Sequence, residues 1–177
     1  LLCATATETN ANRESGSQNP TLQRASAPGD GYPAGKDMYE GYGLLNPDAA
    51  IEAVSLTYVQ GTSPTGTLGA NLTDRRAWAR KVNLYSGWTF NPSLTAPAGG
   101  DFDLYLYSNS PTAYGGPTIL ASSTNAGNGA AEALNYTPGS NMTALLVIKR
   151  ISGSGTFTLT STGDSTGPSV TISAPSA

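Results

Sequence analysis

The chain has 177 residues, with nine basic and twelve acidic residues, a formal net charge of −3 and no histidine. Without histidine, no Ser-His-Asp or Cys-His catalytic arrangement can form within it, so we expect no nucleophilic catalysis of that kind from this chain alone. The few basic residues argue against nucleic-acid binding. No apolar run approaches the length that spans a membrane.

The first predicted element is a helix at residues 1–7, Leu-Leu-Cys-Ala-Thr-Ala-Thr. Cys3 has no partner for an internal disulfide, so we interpret it as a buried packing residue. From Glu8 to Asp37 the chain is polar and rich in Gly, Pro, Asn and Ser, which predicts a long surface loop.

A second helix is predicted after the turn Gly41-Tyr42-Gly43. Asn46 is a good N-cap, and Pro47 suits the first helical position. Asp48 lies where the helix dipole favours negative charge. The small and apolar residues of 49–54 then predict a short helix with one apolar side.

From Ser55 onward the chain changes to short alternating stretches separated by turn residues, at a spacing of roughly ten residues. This pattern predicts a mainly β fold, with a β-sandwich over residues 55–163. The run 145–148 is apolar on both sides and predicts a central strand. The predicted strands are Ala77–Leu84, Asp101–Tyr107, Thr118–Ser122, Ala131–Tyr136, Ala144–Arg150 and Thr156–Ser161.

Two polar features have a plain interpretation. Ser63 follows Gly61-Thr62, but Pro64 and Gly66 come next, so we interpret it as a loop serine and not as a nucleophile. The basic cluster of residues 75–81 is interpreted as a solvated edge of a strand or turn, formed by Arg75, Arg76, Arg80 and Lys81.

Asp101 and Asp103 are the candidate metal ligands. In the predicted strand, Phe102, Leu104 and Leu106 point to one side and the residues between them to the other. The two carboxylates therefore share a face, where a calcium ion could use both together with loop carbonyls. Alternatively, both carboxylates face solvent and accept hydrogen bonds from loop amides.

The aromatic residues offer a different site, a flat face that stacks on sugars or on another polymer. Tyr105 and Tyr107 share a predicted outer face and are the best pair. Packing inside the sandwich is the alternative, and it is favoured for Trp78. The candidates are Trp78, Tyr85, Trp88, Tyr105, Tyr107, Tyr114 and Tyr136.

Three Asn-x-Ser/Thr sequons, at Asn71, Asn135 and Asn141, are candidate glycosylation sites in a secreted protein, although an Asn- and Thr-rich chain also produces sequons by chance. Residues 164–177 predict a linker and then a strand, which resembles the first strand of an immunoglobulin-like repeat. A lone strand is not stable by itself. It would begin a following domain, join the sandwich, or be exchanged between copies of the chain to form a homo-polymer.

The pattern Gly-Tyr-Gly-Leu-Leu-Asn-x-x-x-Ala at residues 41–50 resembles the segment that closes the catalytic domain of subtilisin-like serine proteases. The Leu-Leu-x-x-Thr-Ala run at residues 1–6 is similar to a helix end that precedes it in that family. The resemblance implies that residues 1–54 are the tail of an α/β catalytic domain, formed by a helix, a long loop and a helix. The catalytic residues would then lie outside this chain.

The segments Asp101–Tyr107 and 153–159 (Gly-x-Gly-x-Phe-x-Leu) resemble the pre-peptidase C-terminal or jelly-roll module of secreted proteases. This resemblance implies a jelly-roll-like β-sandwich in an extracellular or cell-surface protein, with calcium near the Asp-x-Asp pair. The acidic stretch that often opens the module is absent between Ser55 and Gly69, which weakens the case for calcium.

Two functions therefore remain open. The first is the non-catalytic C-terminal part of a secreted subtilisin-like endopeptidase, whose sandwich stabilises the enzyme or attaches it to a substrate or surface. Its partners would be the remainder of the catalytic domain and a protein or polysaccharide substrate. The second is a structural or adhesive extracellular protein that forms filaments by strand exchange.

Overall fold

The computed structural model describes residues 1–7, 42–112 and 116–162. Within these ranges the chain forms two helices and eight strands. The helices are α1 (Leu2–Thr5) and α2 (Pro47–Ser55). The strands are β1 (Thr65–Leu68), β2 (Ala77–Leu84), β3 (Pro92–Thr95), β4 (Gly100–Ser108), β5 (Ile119–Ser123), β6 (Glu132–Ala133), β7 (Met142–Gly153) and β8 (Gly155–Ser161).

The strands form two antiparallel sheets of four strands each, in the orders β1-β8-β3-β6 and β2-β7-β4-β5. Four of the strand pairs, β4–β5, β3–β6, β2–β7 and β1–β8, are nested like the successive parts of one long hairpin. Wrapping such a hairpin into two facing sheets gives the jelly roll. The prediction of a mainly β, jelly-roll-like sandwich is confirmed.

Several predicted strands agree closely with the structure. β2 has the predicted bounds, and β7 is central because it pairs with both β2 and β4. β6 is shorter than predicted, with two residues. β1 and β3 were not predicted, since Thr-Gly-Thr-Leu and Pro-Ser-Leu-Thr carry little apolar pattern; each places one leucine, Leu68 or Leu94, in the core.

The main core lies between the two sheets, and aromatic rings occupy part of it. Trp78 packs edge-on against Phe157 with ring centroids 5.9 Å apart, and Phe157 packs against Phe102 at 6.4 Å. Edge-to-face contacts of this kind add to the stability that burial itself provides. The interpretation of Trp78 as a packing residue is confirmed.

A second core lies on the outer face of the β2-β7-β4-β5 sheet, where α1 and α2 cover it. The helices contribute small side chains, Ala4, Ala49 and Ala53, and the sheet contributes larger ones such as Tyr105 and Val147. Because alanines allow the helices to lie close to β2 and β7, the middle of β7 is buried on both faces. This explains why the run 145–148 is apolar on both sides.

The chain that leaves α2 stays against the same sheet. The Lys81 N–H donates to the Leu56 carbonyl at 3.0 Å, and the Tyr58 N–H donates to the Lys81 carbonyl at 2.7 Å. These bonds cover part of the β2 edge, which would otherwise expose unpaired backbone groups.

The division into domains at residue 54 stays a prediction. The predicted loop at 8–37 and the segment 164–177 lie outside the described residues.

Candidate functional site

The face of β4 that carries the candidate metal ligands is buried. The predicted alternation is confirmed, since Phe102 lies in the main core while Tyr105 and Tyr107 lie in the second one. Asp101 and Asp103 on the same face are also buried. A solvent-facing position for the two carboxylates and a sugar-stacking role for the two tyrosines are both wrong, because all four side chains are buried.

This face also holds a charged group next to two aromatic rings. The Tyr105 and Tyr107 rings are stacked with centroids 5.6 Å apart, and the Lys149 ammonium lies 5.4 and 5.5 Å from them. The Tyr105 hydroxyl donates to Asp103 Oδ2 at 3.0 Å. Asp103 and Lys149 are register partners in the β4–β7 pair. Ring faces and a nearby carboxylate both favour a buried cation.

Burial changes the pKa values of this cluster. Desolvation lowers the pKa of Lys149 from 10.5 to about 8, although the nearby Asp103 charge acts in the opposite direction. Desolvation raises the pKa of Tyr107, and the Asp103 charge raises it further. The hydroxyl of Tyr107 therefore stays protonated at neutral pH.

The described residues offer calcium only part of a coordination shell. Asp101 Oδ1 is buried and makes no hydrogen bond to any residue in those ranges. Calcium takes six to eight oxygen ligands. However, residues 1–7, 42–112 and 116–162 contain no group of three or more acidic, cysteine or histidine side chains placed to hold a metal. Calcium binding at Asp101 and Asp103 stays a prediction.

All three sequon asparagines are exposed. The Asn71 side-chain nitrogen, which would carry a glycan, donates to Asp74 Oδ2 at 2.9 Å. Asn141 instead uses its oxygen, which accepts a hydrogen bond from the Ser86 N–H at 2.9 Å. Glycosylation at Asn71, Asn135 and Asn141 stays a prediction.

The basic cluster was predicted to be a solvated edge of a strand or turn, but the structure shows that it is only partly so. Arg76 is buried, and Glu52 on α2 forms ion pairs with Arg75 and Arg80. The Arg80 guanidinium also lies 4.6 Å from the Trp78 ring centroid. These contacts tie α2 to the edge of the sandwich, which the sequence pattern did not indicate because Glu52 is far from the arginines along the chain.

The predictions for Ser63 and Cys3 can also be compared with the structure: the first is confirmed and the second is wrong. Ser63 is exposed and lies outside any helix or strand, so its interpretation as a loop serine is confirmed. Cys3 is only partly buried, which corrects the expectation of a buried thiol. Among the candidate aromatics, Tyr114 lies outside the described residues.

An open groove of about 840 Å³ lies beside the ends of β2 and β8. Its floor includes Tyr58, Leu84 and Phe90, which are buried, whereas Tyr85 and Trp88 are 56% and 46% exposed. We call this feature the Tyr85–Trp88 groove. Its lining consists of Thr57, Tyr58, Val59, Gln60, Asn83, Leu84, Tyr85, Trp88, Thr89, Phe90 and Thr162.

The two exposed aromatics are held on a braced turn. The Trp88 N–H donates to the Tyr85 carbonyl at 3.1 Å, and Gly87 has φ +77°, a conformation that favours glycine. Ser86 donates to Asn141 Oδ1 and to the Gly139 carbonyl, both at 2.9 Å. A second turn, at residues 138–141, therefore supports the first.

The opposite wall of the groove is also fixed by hydrogen bonds. Tyr58 shares a hydrogen bond of 2.8 Å with Ser161 Oγ, and burial raises the pKa of Tyr58. Gln60 Nε2 donates to the Asn83 carbonyl at 3.0 Å, and Thr143 donates to Asn83 Oδ1 at 3.2 Å. Tyr85 and Trp88 are among the candidate aromatics predicted from the sequence, although Tyr105 and Tyr107 were the best pair. Gly87, which lies between Tyr85 and Trp88, is the sequence signal of an exposed turn.

The helices of the described ranges do not include one that is both long and apolar enough to cross a bilayer.

No protein-family model matches the chain, and no curated protein matches it. Among solved structures, the chain is similar to the pre-peptidase C-terminal domain of a collagenase from Bacillus anthracis, with 19% identity and a TM-score of 0.46 over 60% of this chain and 92% of that one. It is also similar to CorA, a surface-associated copper-binding protein of Methylomicrobium album BG8. There the identity is 14% and the TM-score 0.45, over 63% of this chain and 98% of the other.

Proposed function

We propose that this chain is the non-catalytic C-terminal part of a secreted subtilisin-like serine endopeptidase. Its β-sandwich stabilises the adjoining catalytic domain and attaches the enzyme to a substrate or surface. The proposal is supported by the resemblance of residues 1–6 and 41–50 to the end of a subtilase catalytic domain. The extracellular location follows from the same resemblance.

The observation that carries the proposal is the composition of the two faces of α2. Its inner face has the small residues Ala49 and Ala53, which pack on the sheet. Its outer face has Ile51 and Val54, which are 62% and 56% exposed. A helix that is apolar on both faces is typical of a helix enclosed between two layers of protein.

Neighbouring side chains extend this apolar surface. Leu2 on α1 and Leu45, just before α2, are each more than half exposed. Contiguous exposed apolar residues commonly mark an interface. We propose that the rest of the catalytic domain covers the surface formed by Leu2, Leu45, Ile51 and Val54. The sandwich then supports that domain through the helices, which Glu52 links to Arg75 and Arg80.

The first test is the coding sequence upstream of Leu1. We expect a Gly-Thr-Ser nucleophile motif within a few dozen residues, with the histidine and aspartate motifs further upstream. Continuous β-repeats in that position would contradict the proposal and would support the structural or adhesive alternative.

The second test uses the longer natural chain in a casein-hydrolysis assay. We expect Ile51→Asp and Val54→Asp to shorten the half-life of activity at elevated temperature, because each places a charge in the proposed interface. Leu72→Asp is the matched control, since Leu72 is also 62% exposed but lies in the loop between β1 and β2. Equal half-lives for all three variants would contradict the interface.

A further inference from the structure

We infer that the Tyr85–Trp88 groove binds a neutral polysaccharide. This inference rests on the proposed attachment role and gives it a site and a class of ligand. The groove has about 840 Å³ and combines aromatic rings with a few polar side chains. Both properties are typical of sites that bind small molecules or segments of a polymer.

The first argument is the exposure of the aromatic side chains. Tyr85 and Trp88 leave about half of their surface in water, although the sandwich core accommodates rings as large as Trp78. The apolar C–H face of a pyranose ring can stack on such rings and remove that surface from water. The rings of Tyr85 and Trp88, three residues apart on one turn, can contact successive sugar units of a polymer.

The second argument is the placement of hydrogen-bonding groups. Gln60 and Asn83 supply amides, and Thr57 and Thr89 supply hydroxyl groups. Within the described ranges, Asn83 Nδ2 and the Trp88 indole N–H have no hydrogen-bond partner, although Asn83 Oδ1 is held by Thr143. The bond from Thr143 fixes the direction of the Asn83 amide, and donors of this kind suit sugar hydroxyl groups, which both donate and accept.

The third argument is charge, because every residue that lines the groove is uncharged. An acidic polysaccharide would require basic groups, and the ion-paired arginines Arg75 and Arg80 do not line the groove. A peptide often binds by pairing with a sheet edge. The nearby β2 edge is already covered at Lys81 by Leu56 and Tyr58. A neutral glycan fits these conditions better than either alternative.

The fourth argument is rigidity. The turn that carries the aromatics is braced by Ser86 against Asn141 and Gly139. A ligand that binds a preformed platform does not have to order it, so more of the contact energy appears as affinity.

The experiment is affinity electrophoresis of the 177-residue chain in native gels that contain one polymer each. The neutral polymers are hydroxyethylcellulose, laminarin and xyloglucan; alginate is the acidic polysaccharide and gelatin is the protein. We expect at least one neutral glucan to retard the chain and alginate to leave its mobility unchanged. Retardation by gelatin or alginate alone, or by none of the polymers, would overturn the inference.

Variants then locate the site. We expect Trp88→Ala and Tyr85→Ala to weaken glucan binding by about tenfold or more, as for central aromatic contacts in other interfaces. Leu72→Ala, which removes an exposed apolar side chain outside the groove, should bind like the unmodified chain. Unchanged binding by both aromatic variants would overturn the assignment.

Fluorescence gives an independent readout, because the chain has two tryptophans and Trp78 is buried in the core. We expect glucan to change the emission of Trp88, and Trp88→Phe to lose that change while keeping the melting temperature. A signal that persists in Trp88→Phe would place the ligand elsewhere. Failure of glycan binding would leave the protease proposal intact, since the upstream sequence tests that separately.

Discussion

The Lys149 ammonium nitrogen lies 5.4 Å from the centre of the Tyr105 ring, on the face of the sheet that the helices cover. The same ring carries the hydroxyl group that donates to Asp103. Lys149 is therefore held beside a carboxylate and next to two aromatic rings, and it is partly shielded from water. Its proton equilibrium is coupled to the stability of the fold.

This coupling predicts a pH dependence. The pKa of Lys149 is lowered by burial from 10.5 to about 8, so between these pH values the unfolded chain binds one more proton than the folded chain. The free energy of unfolding must then rise with pH across this window, and the contribution is lost as pH falls through about 8. We expect the melting temperature of the unmodified chain to rise relative to that of Lys149→Met between pH 8 and 10. Parallel curves for the two proteins would contradict the prediction.

Substitution of Asn46 is expected to lower the free energy of unfolding more than the loss of an ordinary N-cap does. It precedes α2 but makes no capping side-chain bond. Instead, its Nδ2 donates to the Thr5 carbonyl at 2.9 Å and to the Leu44 carbonyl at 3.0 Å, and its Oδ1 accepts from the Arg76 N–H at 3.3 Å. We expect Asn46→Ala to lower the free energy of unfolding by about 3 kcal/mol, because several buried polar groups lose their partner.

The control for this prediction is Asn46→Ser, measured by urea unfolding. Serine is as good an N-cap as asparagine but is too short to make these contacts. If capping were the main role, Asn46→Ser would retain most of the stability. We expect it to lose nearly as much as Asn46→Ala.

Gly153 is predicted to tolerate no side chain. It has φ +64°, and a Cβ there would lie 1.8 Å from the Gly99 carbonyl oxygen. We expect Gly153→Ala to cost about 3 kcal/mol or more, since left-handed backbone alone costs an L-residue about 1–2 kcal/mol and the backbone contact adds to it. Gly139→Ala is the matched control, because that position has open space around it. Similar melting temperatures for the two variants would contradict the prediction.

The calcium prediction can be tested by thermal unfolding with millimolar CaCl₂ and with EDTA. If Asp101 and Asp103 bind calcium, the melting temperature rises by several degrees in CaCl₂, because a ligand that binds only the folded state stabilises it. Asp101→Asn should remove the rise, while Asp74→Asn, in an exposed turn closed by Asn71, should retain it. No change with calcium in the unmodified chain would contradict the prediction.

The sheet was predictable from sequence where each strand carries its own pattern. The alternation in β4 and the doubly apolar run in β7 indicated their positions without reference to other segments. β1 and β3 were not predicted from the sequence because their formation depends on pairing with β8, which lies between them in the sheet. Short strands rich in threonine, serine, glycine and proline become ordered through such pairing more than through their own preferences.

The candidate site was harder to predict because alternation shows which residues share a face, but not what covers that face. Tyr105 and Tyr107 have the pattern of an outer surface, and the residues that share their buried cluster, such as Ala4 and Ala53, are distant in sequence. For the same reason Asn46, which looks like a local cap, bridges segments about forty residues apart along the chain. The Tyr85–Trp88 groove depends on three separate stretches of chain meeting.

The nesting of the strand pairs has a consequence for biosynthesis. Thr65 in β1 pairs with Thr158 in β8, so the first strand has no native partner until about ninety further residues have been made. At roughly 5–20 residues per second, synthesis of that stretch takes on the order of ten seconds. The nascent sandwich therefore exposes unpaired, apolar strands throughout that time.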